Sequence, residues 1–323
     1  MSDFSICVLD GYTLNPGDLS WDELKKLGSC TIYDRTKPQE LVDRLAGFDI
    51  AITNKVVLDA DKIYKLPDLK CLVVSATGYN VVDVESATLK NITVCNVPAY
   101  STDSVAQLVF SHLLNIAQNV AYHDKTVKQG RWVKSADFSY WETPLIELAG
   151  LKLGIIGFGQ IGRRVAEIGR SFGMQILLNT PRPIKNNHPD LKQVDLNTLL
   201  KESDVISLHC PLTDATKHLI NKETLQFMKP SAILINTGRG PLIDENDLAD
   251  ALNKGRISAA CLDVLYSEPP GKDNPLLTAK NSVITPHIAW ASIAARKRLM
   301  DVVTENVKAF ISGNAQNVVN PKL

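Results

Sequence analysis

Residues 153–171 read LGIIGFGQIGRRVAEIGRS, and this stretch decides the fold. A short apolar run is followed by G-x-G-x-x-G, whose glycines are Gly157, Gly159 and Gly162, and then by a segment with helical spacing. In such a strand–turn–helix unit, Gly157 makes the tight turn, Gly159 lets a pyrophosphate approach the backbone, and Gly162 lets helix and strand pack closely. The helix N-terminus offers free N–H groups to the phosphates. The stretch predicts a dinucleotide site, with a purely structural glycine turn as the alternative.

The alternation of apolar runs and amphipathic stretches extends in both directions from this turn. Together with the apolar run at 153–157, the apolar runs downstream of the turn predict about six strands, the number that a complete dinucleotide-binding sheet needs. These downstream runs are 176–178, 205–208, 232–236, 259–262 and 283–285. Upstream, a second set of apolar runs falls at 6–9, 31–33, 50–53, 71–74 and 93–95, with predicted helices between them at 21–27 and 38–45. Alternation of this kind indicates an α/β protein with parallel sheets covered by helices.

Two longer helical patterns border these sets, one from about residue 101 to 119 and one over roughly 292–310. We therefore predict an α/β fold in which a Rossmann dinucleotide-binding domain, residues 100–288, is inserted into a smaller domain. That smaller domain, residues 1–99 with 289–323, is predicted to be a flavodoxin-like α/β substrate domain.

Residues 120–150 combine charges with aromatic side chains on a stretch that lacks a regular period. The aromatic residues are Trp132, Phe138, Tyr140 and Trp141. Exposed apolar clusters usually mark contacts. We therefore predict that this stretch is covered, either by a second subunit or by the same chain folding back.

Composition and charge limit the partners. The 35 basic and 35 acidic residues balance, so no general field draws the chain to nucleic acid or to an anionic membrane. The N-terminus lacks the features of a signal peptide, and no apolar run approaches a membrane span. The cysteines show neither C-x-x-C spacing nor a disulfide pattern, and no cluster has metal-ligand spacing. A cytoplasmic protein with reduced cysteines and no metal, nucleic-acid or membrane partner is expected.

The strand end at residues 179–183 bears on the choice of coenzyme. About 20 residues past the glycines, a carboxylate usually binds the adenosine ribose hydroxyls, but the sequence here is NTPRP. An acid would repel a 2′-phosphate, whereas Thr180 would not and Arg182 can pair with it. We expect NAD(P) as the cofactor, with NADPH favoured over NADH. A solvated surface Arg182 is the alternative.

An arginine, a glutamate and a histidine follow three late strands, at Arg239, Glu268 and His287. Ligands bind at the carboxyl ends of strands in a doubly wound sheet. Arginine can hold a substrate carboxylate by a two-point contact and polarise a ketone. Histidine is the natural proton donor when hydride converts a ketone to an alkoxide, and a neighbouring carboxylate favours the imidazolium. Together the three predict hydride transfer between a nicotinamide and a small 2-oxo or 2-hydroxy acid.

Each of these residues also has an ordinary structural explanation, a surface ion pair for Arg239 and a loop contact for His287. It is their combination, behind a dinucleotide fingerprint, that favours catalysis. His112 and His209 lie in apolar runs and are predicted to be core histidines instead.

Over essentially its whole length the chain resembles the D-isomer-specific 2-hydroxyacid dehydrogenase family. The matching segments are 157–162, HCPLT at 209–213, 235–240, LDV at 262–264 with Glu268-Pro269, and 285–292. The resemblance implies the inserted-domain fold and catalytic roles for Arg239, Glu268 and His287. It also implies dimers joined through residues 101–150.

The resemblance implies further cofactor contacts. Gln160 and Ile161 are expected at the pyrophosphate, and Asp263 at the carboxamide end of the nicotinamide. The remaining expected cofactor contacts are Cys210, Pro211, Thr216, Thr237 and Gly238, together with Arg239 and His287.

The loop at 75–80, SATGYN, is similar to the one whose backbone N–H groups meet the substrate carboxylate in this family. Ala76, Thr77 and Gly78 are therefore expected substrate contacts, together with Arg239 and His287. Trp141 is a further candidate substrate contact, reaching toward a neighbouring active site. Simple interface packing is its alternative role.

Within the family, NVPAY at 96–100 and PHIAWAS at 286–292 are most similar to glycerate dehydrogenases, also called hydroxypyruvate reductases. The expected reaction is reduction of hydroxypyruvate or glyoxylate to D-glycerate or glycolate, with another 2-oxo acid as the runner-up substrate. A different class stays open, a nucleotide-sensing regulator like the family's corepressors, which can retain the catalytic residues. The lack of an extended partner-binding tail weighs against it.

Overall fold

The structure is a computed structural model that describes residues 4–184 and 190–320. It consists of two compact units. One, which we call the split unit, combines Met1–Ser101 with Ala291–Leu323, and the other, the inserted unit, is Thr102–Trp290. Both are built from parallel strands and helices, which confirms the predicted α/β class.

The split unit contains a five-stranded parallel sheet. Its strands are β1 (Ser5–Val8), β2 (Ser29–Ile32), β3 (Ile50–Thr53), β4 (Cys71–Val74) and β5 (Thr93–Cys95). Its first four helices are α1 (Asp22–Lys25), α2 (Leu41–Leu45), α3 (Ala60–Tyr64) and α4 (Val84–Leu89). The strand order β2-β1-β3-β4-β5 is that of flavodoxin-like sheets. β3 and β4 are buried along their whole length, which explains their continuous apolar runs.

The inserted unit contains a seven-stranded parallel sheet. Its strands are β6 (Lys152–Ile156), β7 (Gln175–Asn179), β8 (Leu191–Gln193), β9 (Val205–Leu208), β10 (Ile233–Asn236), β11 (Ala259–Leu262) and β12 (Ser282–Ile284). Its helices are α5 (Thr102–Gln118), α6 (Val120–Lys128), α7 (Gln160–Ser171), α8 (Leu196–Glu202), α9 (Lys222–Leu225) and α10 (Glu245–Asn253). The strand order β12-β11-β10-β9-β6-β7-β8 is the Rossmann order extended by one strand.

The last helix, α11 (Ile293–Ile311), returns to the split unit and packs against β4. Its Arg296 is buried and binds Asp18 through two short contacts, of 2.8 and 2.6 Å. The same guanidinium donates to the carbonyl of Leu14 at 3.0 Å. A bidentate pair of this kind fixes the helix against the N-terminal part of the chain.

Two elements differ from the predictions. β8 was missed because its three residues are half-buried or exposed and make no apolar run. The stretch 120–150 was predicted to be irregular, yet α6 occupies its first part. Asn119, with a φ of +48°, separates α6 from α5, and this break ended the helical period that the sequence showed.

The cysteines are all free thiols. Cys7, Cys71, Cys95 and Cys261 are buried, whereas Cys30 and Cys210 are half-buried. In residues 4–184 and 190–320, no helix is long and apolar enough to cross a membrane.

Candidate active site

The glycine turn joins β6 to α7 in the inserted unit. Gly157 has a φ of +95°, and a Cβ there would lie 2.4 Å from the backbone nitrogen of Cys210. A Cβ on Gly162 would lie 2.2 Å from the carbonyl oxygen of Gly157. At Gly159, by contrast, no described residue other than its chain neighbours lies within 4 Å of the Cβ position. The first and third glycines thus allow close backbone packing, and the second leaves open space where a pyrophosphate fits.

The N-terminus of α7 has no side-chain cap. Its N-cap residue is Gly159, whereas Asp195 and Asp244 accept backbone N–H groups at the starts of α8 and α10. The first-turn N–H groups of α7, which include those of Gln160 and Ile161, therefore lack a side-chain acceptor. Free N–H groups at the positive end of a helix dipole suit a phosphate anion, so this turn fits a dinucleotide.

A cavity of about 320 Å³ lies beside the end of β7, where the adenosine is expected. Phe158, Arg163, Thr180 and Arg182 contribute to its lining, and the Arg163 guanidinium stacks 4.5 Å above the Phe158 ring. The Gln193 amide donates to the carbonyls of Thr180 and Arg182, at 2.9 and 3.2 Å, and so holds this loop. The cavity is therefore lined by a second arginine, Arg163, in addition to the predicted Arg182. Arg163 directly follows the last glycine of the fingerprint, which is the signal that could have identified it.

The loop after β9 lies next to the glycine turn, because the backbone of Cys210 faces Gly157. The Thr216 hydroxyl donates to the carbonyl of Pro211 at 2.7 Å and accepts the N–H of Thr213 at 2.8 Å. These bonds give the loop one conformation. That Cys210, Pro211 and Thr216 contact a nucleotide stays a prediction.

Arg239 lies on a turn after β10 that Asn236 organises. The buried Asn236 amide donates to the carbonyl of Arg239 at 2.9 Å and accepts the N–H of Gly238 at 3.0 Å. Arg239 is exposed, and one guanidinium nitrogen donates to the carbonyl of Gly238 at 2.7 Å. Its other N–H groups meet no acceptor among the described residues, so they are available to a carboxylate. The hydroxyl of Thr237, also in this turn, is buried and has no hydrogen-bond partner among the described residues.

His287 and Glu268 form a hydrogen-bonded pair. Nδ1 of His287 lies 2.5 Å from Oε2 of Glu268, and because a carboxylate only accepts, the ring N–H donates. The other carboxylate oxygen accepts the backbone N–H of Leu265 at 3.1 Å. Nε2 of His287 has no partner in the described residues, and its side chain is 28% exposed. The pair presents one ring nitrogen to a substrate while the other is held, as an acid–base group requires.

The turns that carry Arg239 and Glu268 are in contact. A Cβ on Gly240 would lie only 1.9 Å from the carbonyl oxygen of Leu265. The two backbones can approach this closely only because residue 240 is glycine. The structure thus brings the predicted arginine and the predicted acid–base pair to neighbouring loops of one unit.

Asp263, at the end of β11, is buried and holds the loop that carries His287. Its carboxylate accepts the hydroxyl of Thr285 at 2.6 Å and the N–H groups of Ile288 and Ala289 at 2.9 and 2.8 Å. Its backbone carbonyl accepts the N–H of His287 at 2.9 Å. The family resemblance implied only a contact between Asp263 and the carboxamide of the nicotinamide, and that contact stays a prediction.

In the split unit, the loop after β4 is held through its carbonyl groups. The carbonyl of Ala76 accepts the N–H of Val97 at 3.0 Å, and that of Thr77 accepts the Asn96 amide at 2.8 Å. The backbone N–H groups of Ala76, Thr77 and Gly78 have no acceptor within the described ranges. Adjacent free N–H groups of this kind suit a carboxylate.

Trp141 lies on the segment after α6 with 65% of its surface exposed, and Phe138 of the same segment is 90% exposed. Among the described residues, no hydrogen bond or ring contact joins Trp141 to His287 or Glu268. Among residues 4–184 and 190–320, no group of three or more His, Cys, Asp or Glu side chains could hold a metal ion.

The chain is similar to a known protein family and to full-length relatives within it. The profile described as D-isomer specific 2-hydroxyacid dehydrogenase, NAD binding domain, matches residues 110–289. A hydroxypyruvate reductase of Blautia hydrogenotrophica is 47% identical over 320 residues, covering 98% of this chain and 99% of the relative. A glycerate dehydrogenase of Methylorubrum extorquens is 43% identical over 290 residues, covering 89% of this chain and 90% of the relative.

Solved structures give the same result. An acyclic imino acid reductase in complex with NADPH and D-Arg has a TM-score of 0.85 and 34% identity, with 98% of this chain and 100% of that chain covered. A D-lactate dehydrogenase from Aquifex aeolicus, complexed with NAD and lactic acid, has a TM-score of 0.85 and 29% identity, with 99% and 100% covered. With a matching profile, full-length relatives and the paired His287 and Glu268, the chain belongs to the D-isomer-specific 2-hydroxyacid dehydrogenase family, oxidoreductases that act on a CH–OH group with a nicotinamide cofactor.

Proposed function

We propose that the protein reduces hydroxypyruvate to D-glycerate and glyoxylate to glycolate with NAD(P)H. The observation that carries the proposal is the hydrogen-bonded His287–Glu268 pair, whose Nε2 has no other partner in the described residues. The similarity to a hydroxypyruvate reductase and to a glycerate dehydrogenase supports this choice of substrate.

Each residue of the site then has a defined task. The nicotinamide cofactor, when bound along the glycine turn, supplies the hydride. Arg239 binds the substrate carboxylate and polarises the ketone, and His287 donates the proton from Nε2 to the ketone oxygen. Glu268 accepts the Nδ1–H and so holds the imidazole in one orientation. In this proposal the split unit binds substrate, through the N–H groups of residues 76–78, and the inserted unit binds the dinucleotide.

The preferred coenzyme is NADPH in this proposal. The end of β7 carries Thr180 where a carboxylate would repel a 2′-phosphate. Arg182 and Arg163 both line the adjoining cavity, so two cations are available to one phosphate ester. Gln193 holds the backbone of this loop, which reduces the ordering that binding requires.

The active form is a cytoplasmic homodimer joined through the region 101–150. The exposure of several apolar side chains supports self-association through this region. Val133 and Phe138 are each 90% exposed, and Trp141 is 65% exposed, on one short segment. Exposed apolar side chains clustered in this way favour a contact that removes them from water. All six cysteines are free thiols, which fits a reducing compartment and supports the location.

A steady-state assay tests the proposed reaction. Hydroxypyruvate, glyoxylate, pyruvate and bulkier 2-oxo acids are each supplied with NADH or NADPH, and kcat/KM is compared. Hydroxypyruvate and glyoxylate should give the highest values, and His287→Gln should abolish turnover while coenzyme still binds. A higher value for a bulkier 2-oxo acid would replace the proposed substrate. Coenzyme binding without turnover of any 2-oxo acid would favour a nucleotide-sensing regulator.

A further inference from the structure

A line of hydrogen bonds connects helix α5 to the loop that carries His287. Nε2 of the buried His112 lies 3.1 Å from the hydroxyl oxygen of Thr285. That hydroxyl lies 2.6 Å from Oδ1 of Asp263, and the Asp263 carboxylate accepts the backbone N–H groups of the two residues that follow His287. All of these groups belong to the inserted unit.

The donors along this line can be assigned from proton counts. The Asp263 carboxylate accepts three bonds, so the Thr285 hydroxyl donates its single proton to it. The contact between Thr285 and His112 therefore requires an N–H on the imidazole, which places the proton on Nε2. Burial lowers the pKa of His112, and the Asp263 carboxylate partly opposes this effect. The side chain is thus a neutral imidazole with a defined tautomer at neutral pH.

The loop at the end of this line has a backbone conformation that needs support. His287 has a φ of +53°, a left-handed conformation that is uncommon for a residue with a side chain. Its N–H bonds to the carbonyls of Asp263 and Thr285, each at 2.9 Å. The position of the imidazole therefore depends on the orientation of Asp263, and Thr285 and His112 restrain that orientation.

We propose that His112 is a positioning residue whose Nε2–H, acting through Thr285 and Asp263, keeps His287 against Glu268. The proposal rests on the catalytic role proposed for His287. Besides the two imidazoles themselves, the titratable groups on this line are the Asp263 carboxylate, Glu268 beside His287, and the Cys261 thiol, whose sulfur lies 3.9 Å from the His112 carbonyl oxygen.

Three variants separate positioning from simple core packing. His112→Leu removes the Nε2–H donor and puts an apolar side chain of similar size in its place. His112→Gln keeps a side-chain N–H at a reach close to that of Nε2. Val109→Ala is the matched control, because Val109 is fully buried on the same helix and has no hydrogen bond to the loop.

The main measurement is the proton NMR signal of the His287 Nδ1–H in the coenzyme-free protein, assigned with His287→Gln. In His112→Leu this signal should move upfield, because the ring loses part of its short hydrogen bond to Glu268. The kcat for ketone reduction should fall about tenfold, as expected for a displaced catalytic group, with a smaller change in substrate KM. His112→Gln should recover most of both values, and Val109→Ala should change the melting temperature but not the NMR signal.

A second variant that breaks the same line of hydrogen bonds keeps the proposal testable if His112→Leu does not fold. Thr285→Val keeps the branched shape and removes the hydroxyl, so it should produce the same shift, and the double variant should add little to it. If both variants leave the NMR signal and kcat where Val109→Ala leaves them, His112 is a core residue and the proposal is wrong. The NMR signal is independent of turnover, so failure of the proposed substrates would leave this result interpretable.

Discussion

Nδ1 of His287 and Oε2 of Glu268 lie 2.5 Å apart, so one short hydrogen bond joins the imidazole to the carboxylate. Ketone reduction needs protonated His287 and alcohol oxidation needs the neutral form. Reduction should therefore fade as pH rises, and oxidation should increase. In Glu268→Gln the ring loses the carboxylate that accepts its Nδ1–H, and kcat/KM for ketone reduction should fall by about tenfold or more. The measurement is kcat/KM against pH in both directions, and an unchanged kcat/KM for reduction would remove Glu268 from this role.

Arg239→Lys tests the carboxylate contact. The substitution keeps the positive charge and loses the planar two-point geometry. Substrate KM should rise by about tenfold or more, the equivalent of about 1.4 kcal/mol, while coenzyme affinity stays nearly constant. Arg256→Lys is the matched control, since that guanidinium bonds to Gln226 on an exposed surface. Equal losses of substrate and coenzyme binding would make Arg239 a structural residue.

The coenzyme preference is tested with Thr180→Asp and Arg182→Ala. A charge-assisted bond from Arg182 to a 2′-phosphate contributes roughly 1.5–3 kcal/mol, or about one to two decades in kcat/KM in favour of NADPH. Thr180→Asp should shift preference toward NADH by repulsion, and Arg182→Ala should reduce NADPH use alone. Arg164→Ala, whose guanidinium pairs with Asp103 and Glu167, is the control. A parent that prefers NADH and does not respond to Arg182→Ala would show that this arginine faces solvent.

Trp141→Ala distinguishes substrate contact from packing. If the ring reaches a neighbouring active site, the ratio of kcat/KM for hydroxypyruvate and pyruvate should change. Phe138→Ala, on the same exposed segment, should weaken the dimer without changing that ratio. The measurements are steady-state kinetics and sedimentation at several protein concentrations. A dimer lost in Trp141→Ala with an unchanged ratio would leave the tryptophan a packing role only.

His209 should make stability depend on pH. Burial lowers its pKa from 6.5 to about 4, so between these values the unfolded chain binds a proton that the folded protein does not. Stability is therefore retained above about pH 6.5 and lost as pH falls toward 4. Between pH 7.5 and pH 5 the parent should lose about 2 kcal/mol more than His209→Gln does, because about 1.5 pH units of linkage apply. Urea unfolding at both pH values gives the comparison.

If His209→Gln and the parent lose the same free energy between the two pH values, then His209 takes up its proton equally in the folded and unfolded states.

Local patterns in the sequence were sufficient for much of the fold. The glycine fingerprint at 157–162 marks the turn between β6 and α7, because Gly157 has a φ of +95° and Gly162 packs against the carbonyl oxygen of Gly157. The buried strands appear as apolar runs, since both faces of a covered parallel sheet are apolar. The three candidate catalytic residues were identifiable because each follows such a run, and strand ends are where this fold binds ligands.

The tertiary structure alone decided the features that depend on distant parts of the chain. β8 is too short and polar to be recognised, and it becomes a strand only because β7 provides its hydrogen-bonding partners. Arg163 reaches the cavity beside the end of β7 through the direction of α7 relative to that strand. His112 and Thr285 are 173 positions apart. A sequence pattern records which residues are buried, but hydrogen-bond partners between them are set by packing, and this packing joins α5 to the loop that carries His287.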